Sequence, residues 1–200
     1  MYKKYFKRII DFSLSLIALL LIWPILLCVT IWLHFANKGA GAFFYQERPG
    51  KNGKIFKIIK FKSMTDERDE DGNLLPEAQR LTRIGAFIRK TSIDELPQLI
   101  NVLKGDMSLV GPRPEVPHYV RQFKEDVPFY LVRQQVRPGM TGWAQINGLR
   151  GDTSIEDRVK YDIWYIENWS LWLDIKILWK TVFGGFLNSE VIDINNNEHK

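Results

Sequence analysis

The strongest constraint on this chain is an apolar segment near its beginning, residues 12–35, in which no side chain carries a fixed charge. At ~1.5 Å per residue, a straight helix of this length would cross a hydrocarbon core of ~30 Å. The segment is long for a cleaved signal peptide and lacks a small-residue cleavage site at its end. We therefore expect a permanent membrane helix, with membrane lipids as partners.

Pro24 stands near the middle of this segment, where a proline removes a backbone hydrogen bond and forces a kink or a break. Basic residues flank the segment at positions 3–8 and again at 38–54. A straight span would place one of these clusters outside the cell, against the positive-inside tendency. A re-entrant helix that bends at Pro24 keeps both clusters cytoplasmic and is the favoured interpretation. A straight span stays open, because spanning helices also tolerate proline.

The length of 200 residues allows one domain with a real core. A formal net charge of +5 and a pI of about 9.2 favour anionic partners such as phosphates and anionic lipids. Nucleic acid is disfavoured, because the basic residues are spread between apolar segments and no recognised nucleic-acid-binding motif is present. The three histidines and the single cysteine have no metal-ligand spacing, which argues against a zinc site.

A β-hairpin is predicted just after the membrane segment. Residues 48–54 are rich in Gly, Pro and Asn, which favour a turn, and residues 55–64 are rich in β-forming side chains. Alternation in the later part of this strand places Lys60 and Lys62 on the same face. These lysines either hold phosphate groups or form the solvated face of the strand.

An acidic loop, residues 66–73, follows the hairpin. Asp69 and Asp71 match the acid-x-acid pair by which many glycosyltransferases hold a metal ion and a nucleotide sugar, but such pairs are frequent in charged loops. We interpret the segment as a solvated loop. Apolar residues at helical spacing then predict a helix over 81–88, which delivers Arg89 ahead of Asp94. Arginine at this point can pair bidentately with phosphate or be a plain surface residue.

The segment 89–99 combines acidic residues with a predicted helix start. Ser92 followed by Glu95, just before an apolar run, is a capping-box pattern. Asp94 would then lie in the first helical turn, where backbone N–H groups favour anions, so it should stay ionised while a phosphate approaches. These properties suit a carboxylate that attacks phosphorus, and the plain alternative is that both acids only cap the helix.

Residues 108–115 are predicted to form a short buried strand that runs into a rigid turn around Arg113. Pro112 and Pro114 fix the backbone on either side, so the arginine side chain has little conformational freedom to lose. This arrangement is suited to directing a cation at a phosphate. Arg137, which precedes a Pro-Gly pair, repeats the pattern.

Four segments in this order, behind a proline-broken hydrophobic helix, resemble the bacterial sugar transferase family, the small monotopic phosphoglycosyl transferases that start lipid-linked glycan assembly. They are residues 60–64, 89–98, 111–114 and 137–142, and the resemblance runs from about residue 7 to about residue 183. One departure is visible at the membrane break: some relatives have Ser-Pro where this chain has Trp23-Pro24. The break is kept, but a serine hydrogen bond to the freed backbone is lost.

The resemblance implies roles for particular residues and a requirement for Mg²⁺. Asp94 matches the nucleophile, and Glu95 matches the glutamate associated with the magnesium ion. Asp162 and Asp174 match acidic positions of less defined role, and Arg150 matches a residue near the nucleotide. The phosphate- and substrate-binding candidates are Lys60, Arg89, Arg113, Arg137, Arg150, Asp162 and Asp174.

Two helices are predicted at the end of the chain, over 155–168 and 171–183. Their tryptophan and tyrosine residues favour the membrane–water interface, and packing as core is an equal alternative. The predicted class is α+β: a re-entrant membrane hairpin with basic flanks at 1–38, then a compact cytosolic catalytic domain at 39–187 with a small β-hairpin and interfacial amphipathic helices. A disordered tail is expected at 188–200.

The resemblance implies transfer of a phosphosugar from a UDP-sugar to a polyprenyl (undecaprenyl) phosphate, through a covalent aspartyl intermediate and with release of UMP. The reaction would take place on the cytoplasmic face of the bacterial inner membrane. The chain could instead be a glycosyltransferase that uses Asp69 and Asp71 and releases UDP, or a non-enzymatic module that binds anionic lipid. The sugar and the glycan pathway stay open, as does the choice between a monomer and a homodimer.

Overall fold

The structure, a computed structural model, describes residues 2–184. The tail predicted at 188–200, and the last residues that the sequence assigns to the catalytic domain, 185–187, lie outside the described residues. The described part mixes helices and strands, which confirms the predicted α+β class.

The longest element is the N-terminal helix α1, Lys7–Ala36, which follows a π-helical turn, Tyr2–Phe6. It is one helix that continues through Pro24, so the predicted break does not divide it into two separate helices. By length and composition it is able to cross a membrane, and only 6% of its most apolar window is buried by protein. This uncovered apolar surface makes α1 a candidate membrane anchor.

The predicted β-hairpin is confirmed. Strands β1 (Phe43–Pro49) and β2 (Ile55–Phe61) pair antiparallel, with Phe44 opposite Lys60 and Arg48 opposite Phe56. Residues paired across an antiparallel ladder lie on the same face of the sheet. Phe44 and Arg48 therefore share the face that carries Lys60.

The remaining elements of residues 2–184 follow in chain order. The helices are α2 (Glu77–Arg80), α3 (Arg83–Lys90), α4 (Gln98–Lys104), α5 (Pro117–Asp126), α6 (Trp143–Ile146), α7 (Ile155–Asn168) and α8 (Leu171–Gly184). Strands β3 (Ser108–Val110) and β4 (Gly139–Thr141) pair in parallel. Short 3₁₀ helices occupy Lys51–Gly53, Ile93–Glu95 and Tyr130–Gln135.

The beginning of α1 is fixed to the rest of the protein by buried polar contacts. Lys7 Nζ lies 2.8 Å from Asp11 Oδ1 and 2.9 Å from Asp174 Oδ2 of α8. Ser108 Oγ of β3 donates to Asp11 Oδ2 at 2.8 Å. Arg8 donates to the carbonyl oxygens at the end of α4. Because these groups are buried, each ion pair has to be complete for the contact to be stable.

The end of α1 also contacts the folded domain, through apolar packing. Leu33 is fully buried and clusters with Phe61 of β2 and Ile88 of α3. Both ends of α1 therefore lie against the same domain, while the side chains between them are largely exposed.

The two C-terminal helices begin where the sequence predicts. Ser154 Oγ accepts from Asp157 N at the start of α7, and Ser170 Oγ accepts from Leu173 N at the start of α8. Tyr165 is buried in the core with Ile177, whereas Trp172 of α8 is 79% exposed. These helices thus pack one face in the core, which is one of the two predicted placements, and leave another face exposed. The location of that exposed face at the membrane–water interface stays a prediction.

Candidate active site

A cavity of about 530 Å³ lies between the hairpin, α3 and the rigid turn around Arg113. We call it the basic cavity, because its wall carries more cationic than anionic side chains. Its charged lining residues are Arg48, Lys60, Lys62, Arg80, Arg89, Arg113, Arg150, Asp66, Glu77, Asp94 and Glu95. An excess of positive charge around a cavity favours a ligand with several negative charges.

The capping box predicted at Ser92 is wrong. Ser92 has a left-handed backbone, with φ of 55°, and its side chain caps no helix. Asp94 lies in the 3₁₀ helix Ile93–Glu95, and α4 begins only at Gln98. Glu95 does not reach back to Ser92, because two cations attract its carboxylate more strongly than a backbone N–H does.

These two cations are Lys60 and Arg113. Lys60 Nζ lies 2.6 Å from Glu95 Oε1, while Arg113 donates to Oε1 at 2.7 Å and to Oε2 at 3.2 Å. Burial would raise the pKa of Glu95, but the Arg113 and Lys60 charges outweigh it and hold this pKa well below its usual range. Glu95 is therefore ionised at every pH at which the protein would be assayed.

Asp94 lies beside this cluster, and its pKa is shifted in the other direction. Burial, together with the negative charge of Glu95, raises the pKa of Asp94 to about 6, against the opposing charges of Lys60, Arg89 and Arg113. At neutral pH the carboxylate is mostly ionised. No side-chain hydrogen bond within residues 2–184 occupies it. Asp94 thus combines negative charge, incomplete solvation and free oxygens, the properties of a nucleophile.

Two further predicted residues line the same cavity. Arg89, in the last turn of α3, donates from Nε to Ser63 Oγ at 2.7 Å. Arg150 donates from Nε to the carbonyl oxygen of Gln145 at 3.2 Å. The structure therefore brings Lys60, Arg89, Arg113 and Arg150 together with Asp94 and Glu95.

Three predicted residues do not line the basic cavity within the described part of the chain. Arg137 donates to the carbonyl oxygen of Gly105 at 2.9 Å. Asp162 pairs with Arg133, and Asp174 pairs with Lys7. The contacts that these three residues make are with the protein itself, and a contact with substrate stays a prediction for each of them.

Comparison with known proteins decides the family. Residues 2–188 match the sequence profile of the family described as bacterial sugar transferase. The chain belongs to this family. It is 51% identical over 176 residues to the uncharacterized sugar transferase EpsL of Bacillus subtilis (strain 168), covering 88% of this chain and 85% of that protein.

Two longer relatives carry names that state a reaction. The UDP-glucose:undecaprenyl-phosphate glucose-1-phosphate transferase of Escherichia coli (strain K12) is 45% identical over 190 residues, which cover 91% of this chain and 40% of that protein. The UDP-N-acetylgalactosamine-undecaprenyl-phosphate N-acetylgalactosaminephosphotransferase of Aeromonas hydrophila is 42% identical over 182 residues, covering 89% and 43%. This bacterial sugar transferase spans less than half the length of these two relatives.

Sequence reasoning missed a second layer of residues in this bacterial sugar transferase. Arg133 is buried, lies 2.7 Å from Asp162 Oδ2, and donates at 2.9 Å to the carbonyl oxygen of Arg113. It thereby holds the rigid turn that presents Arg113. Burial raises the pKa of Asp162 to about 6 against the opposing charge of Arg133. No local pattern marks Arg133, because its function depends on contacts with residues distant in the sequence.

Sequence reasoning also missed strand β1 as a wall of the cavity. Phe44, Gln46 and Arg48 line it, and they are spaced two apart along the strand. This spacing was the signal from which the three side chains could have been placed on one face, because alternate residues of a strand share a face.

The resemblance places magnesium at Glu95. Among residues 2–184, no group of three or more His, Cys, Asp or Glu side chains could hold a metal ion. Mg²⁺ commonly keeps several water ligands and uses one or two carboxylates together with substrate phosphates. Glu95 Oε1 already accepts from both Lys60 and Arg113, whereas Oε2 accepts only from Arg113, at 3.2 Å, in the part of the chain that the structure describes. Oε2 and the Asp94 carboxylate are therefore the oxygens that could hold such an ion together with a diphosphate.

Proposed function

We propose that this bacterial sugar transferase moves a phosphosugar from a UDP-sugar to a polyprenyl phosphate, by two displacements at phosphorus. The observation that carries the proposal is the unoccupied Asp94 carboxylate in a cavity beside Lys60, Arg89 and Arg113. The names of the two longer relatives state the same type of donor and acceptor for those proteins.

In the first displacement, an oxygen of Asp94 attacks the phosphorus that bears the sugar. The bond from that phosphorus to the bridging oxygen breaks, and its electron pair leaves with UMP. A phosphosugar ester of Asp94 remains. Lys60, Arg89 and Arg113 stabilise the negative charge on the phosphoryl oxygens, and they do so without rearranging because their side chains are already in place.

In the second displacement, a phosphate oxygen of the polyprenyl phosphate attacks the same phosphorus. The bond to Asp94 breaks, the carboxylate is regenerated, and the product is a polyprenyl diphosphosugar. Covalent catalysis thus replaces one encounter between two anionic phosphate groups with two separate reactions. Glu95 would hold Mg²⁺, which supplies further neutralisation of the diphosphate charge when it is bound.

The same proposal places the domain on the cytoplasmic face of the inner membrane, with α1 re-entrant. A straight helix with the length of α1 would extend ~45 Å. Lys7 at its beginning and Leu33 near its end both contact the folded domain. A bend at Pro24 allows both contacts while the apolar middle enters the lipid. The polyprenyl phosphate group, which lies at the membrane surface, then reaches the cavity.

The glycosyltransferase alternative loses support. Asp69 Oδ1 accepts from the backbone N–H groups of Asp71 and Asn73, at 3.1 and 2.8 Å, which is a loop-stabilising arrangement. Both aspartates are exposed, and neither lines the basic cavity.

The decisive experiment uses detergent-solubilised protein, Mg²⁺ and a panel of UDP-sugars, without acceptor. With the correct sugar, we expect one UMP per protein and a gain in intact mass equal to one phosphosugar. Asp94→Asn should give neither, whereas the matched control Asp71→Asn should behave as the wild type. Adding polyprenyl phosphate should then discharge the mass gain and permit turnover.

Other products would contradict the proposal in different ways. Release of UDP would support the glycosyltransferase alternative. Near-normal UMP formation by Asp94→Asn would refute the nucleophile assignment. Folded protein that is silent across a broad panel would favour the lipid-binding module.

A further inference from the structure

Arg48 of β1 is a cation of the basic cavity to which the proposed mechanism gives no role. It shares its strand face with Gln46 and Phe44, and all three line the cavity. Its strand neighbours and the turn around Arg113 surround it, so its side chain is only partly exposed.

The guanidinium of Arg48 is held in a fixed orientation by neutral groups. Gln46 Oε1 accepts from Nε at 3.1 Å and from Nη2 at 2.5 Å, and the carbonyl oxygen of Pro114 accepts from Nη1 at 2.9 Å. A guanidinium has five N–H donors, so these contacts leave two of them for another acceptor. A side chain held in this way loses little entropy when it binds a ligand.

No carboxylate within residues 2–184 forms an ion pair with Arg48. Burial lowers the pKa of Arg48, and so does the positive charge of nearby Arg113. Two guanidinium groups near each other repel, and Arg113 alone has a carboxylate, Glu95, against it. An anion that binds between the two arginines would remove this repulsion.

The contacts of Arg48 indicate where that anion would lie. Lys60 and Arg113 both contact Glu95, the neighbour of Asp94, whereas Arg48 contacts Gln46 and the carbonyl oxygen of Pro114, the residue after Arg113. Arg48 is therefore one contact further from the nucleophile than Arg113 is, at the place that the second phosphate of a bound diphosphate would take. In a displacement at phosphorus, the leaving oxygen lies opposite the attacking one.

We propose that Arg48 binds the phosphate that leaves with UMP, and this proposal rests on the function proposed above. When Asp94 attacks, the bridging oxygen keeps the electron pair of the broken bond and becomes a terminal oxygen of UMP. The two remaining N–H groups of Arg48 donate to this phosphate as its charge increases. Gln46 is a positioning residue that keeps the donors directed at it.

The role predicts different effects on the two half-reactions. UMP formation without acceptor would be followed by rapid quench, and discharge of the preformed phosphosugar ester by polyprenyl phosphate would be followed separately. Arg48→Ala should slow UMP formation by about 100- to 1000-fold, as expected for loss of a donor to a developing anion. It should change the discharge step by less than about threefold, because UMP has already left.

Two further variants make the test specific. Arg48→Lys keeps the charge but lacks the fork of donors, so it should restore part of the lost rate. Arg121→Ala removes the same charge from an exposed position on α5 and should match the wild type. If Arg48→Ala does not fold, the rates of UMP formation and of ester discharge would be compared in Arg48→Lys instead.

Each outcome has a separate meaning. A wild type that forms neither UMP nor the ester overturns the proposed function, and the role of Arg48 with it. A wild type that forms both, with Arg48→Ala equally fast, overturns only the role of Arg48. Equal slowing of both half-reactions also overturns it, since that result indicates general damage to the cavity.

Discussion

At the scale of single residues, the pKa values of two neighbouring carboxylates are shifted in opposite directions. Glu95 takes the direct contacts with Lys60 and Arg113, and its pKa falls. Asp94 is left without those contacts, next to a second negative charge, and its pKa rises to about 6. Environments that push two pKa values apart suit two carboxylates to different tasks. Glu95 holds the two cations in place, and Asp94 keeps the electron pairs that the proposed attack on phosphorus requires.

The pH dependence of UMP formation follows from this difference. Because Asp94 must be ionised to make the proposed attack, the rate of the first half-reaction should rise with pH through an apparent pKa of about 6. Glu95→Gln removes the adjacent negative charge and releases two cations, so the remaining activity should show this rise at lower pH. The exposed control Glu125→Gln should leave it in place. A pH profile unchanged by Glu95→Gln would contradict our account of Asp94.

At the scale of elements, close contact between α3 and the segment after β2 positions Arg89. A Cβ atom on Gly85 would lie 1.8 Å from the carbonyl oxygen of Ser63, so α3 rests directly on that backbone. Four residues further along α3, Arg89 donates to the hydroxyl of the same Ser63. The absence of a side chain at Gly85 therefore sets the distance at which Arg89 faces the cavity.

Replacing Gly85 by alanine tests this contact, and the sign of the effect is informative. In an open helix the change would stabilise by roughly 0.5–1 kcal/mol. Here α3 must shift, so we expect a loss of about 1–3 kcal/mol in unfolding free energy and slower UMP formation. Ala86→Gly, at an exposed neighbouring position, should cost about 1 kcal/mol and keep the activity. A Gly85→Ala protein as stable as the wild type would show that the contact is looser than described.

The predictable elements are those whose pattern is local. The turn residues at 48–54 and the β-formers after them specify the hairpin, and Ser154 specifies the start of α7. Ser92 failed as a cap because Glu95 bonds to partners from β2 and from the turn around Arg113. The sequence also could not predict that Arg48 lies in the cavity, because its position depends on the strand register and on the location of Pro114. Tertiary contacts between distant segments decided both of these features.

At the scale of the whole molecule, the proposed re-entrant α1 makes a prediction about the two flanks of the helix. A re-entrant helix leaves residues on both flanks on the same side. Lys3→Cys and Lys51→Cys, each in a Cys28→Ser background, should be labelled equally by a membrane-impermeant thiol reagent in inverted vesicles, and protected equally in intact cells. Both positions are exposed, so accessibility reports sidedness. Opposite labelling at the two positions would show a straight span.

The contacts at the two ends of α1 also have a mechanical consequence. Lys7 and Asp11 connect the helix to α8 and β3, and Leu33 connects it to β2 and α3, the elements that carry the basic cavity. In the proposed re-entrant arrangement, a change in the depth to which the apolar middle of α1 enters the lipid exerts a force on these attachments. The lipid would thus act on the basic cavity through both ends of one helix, and the protein's own frame would set the depth at which the cavity meets the polyprenyl phosphate proposed as its acceptor.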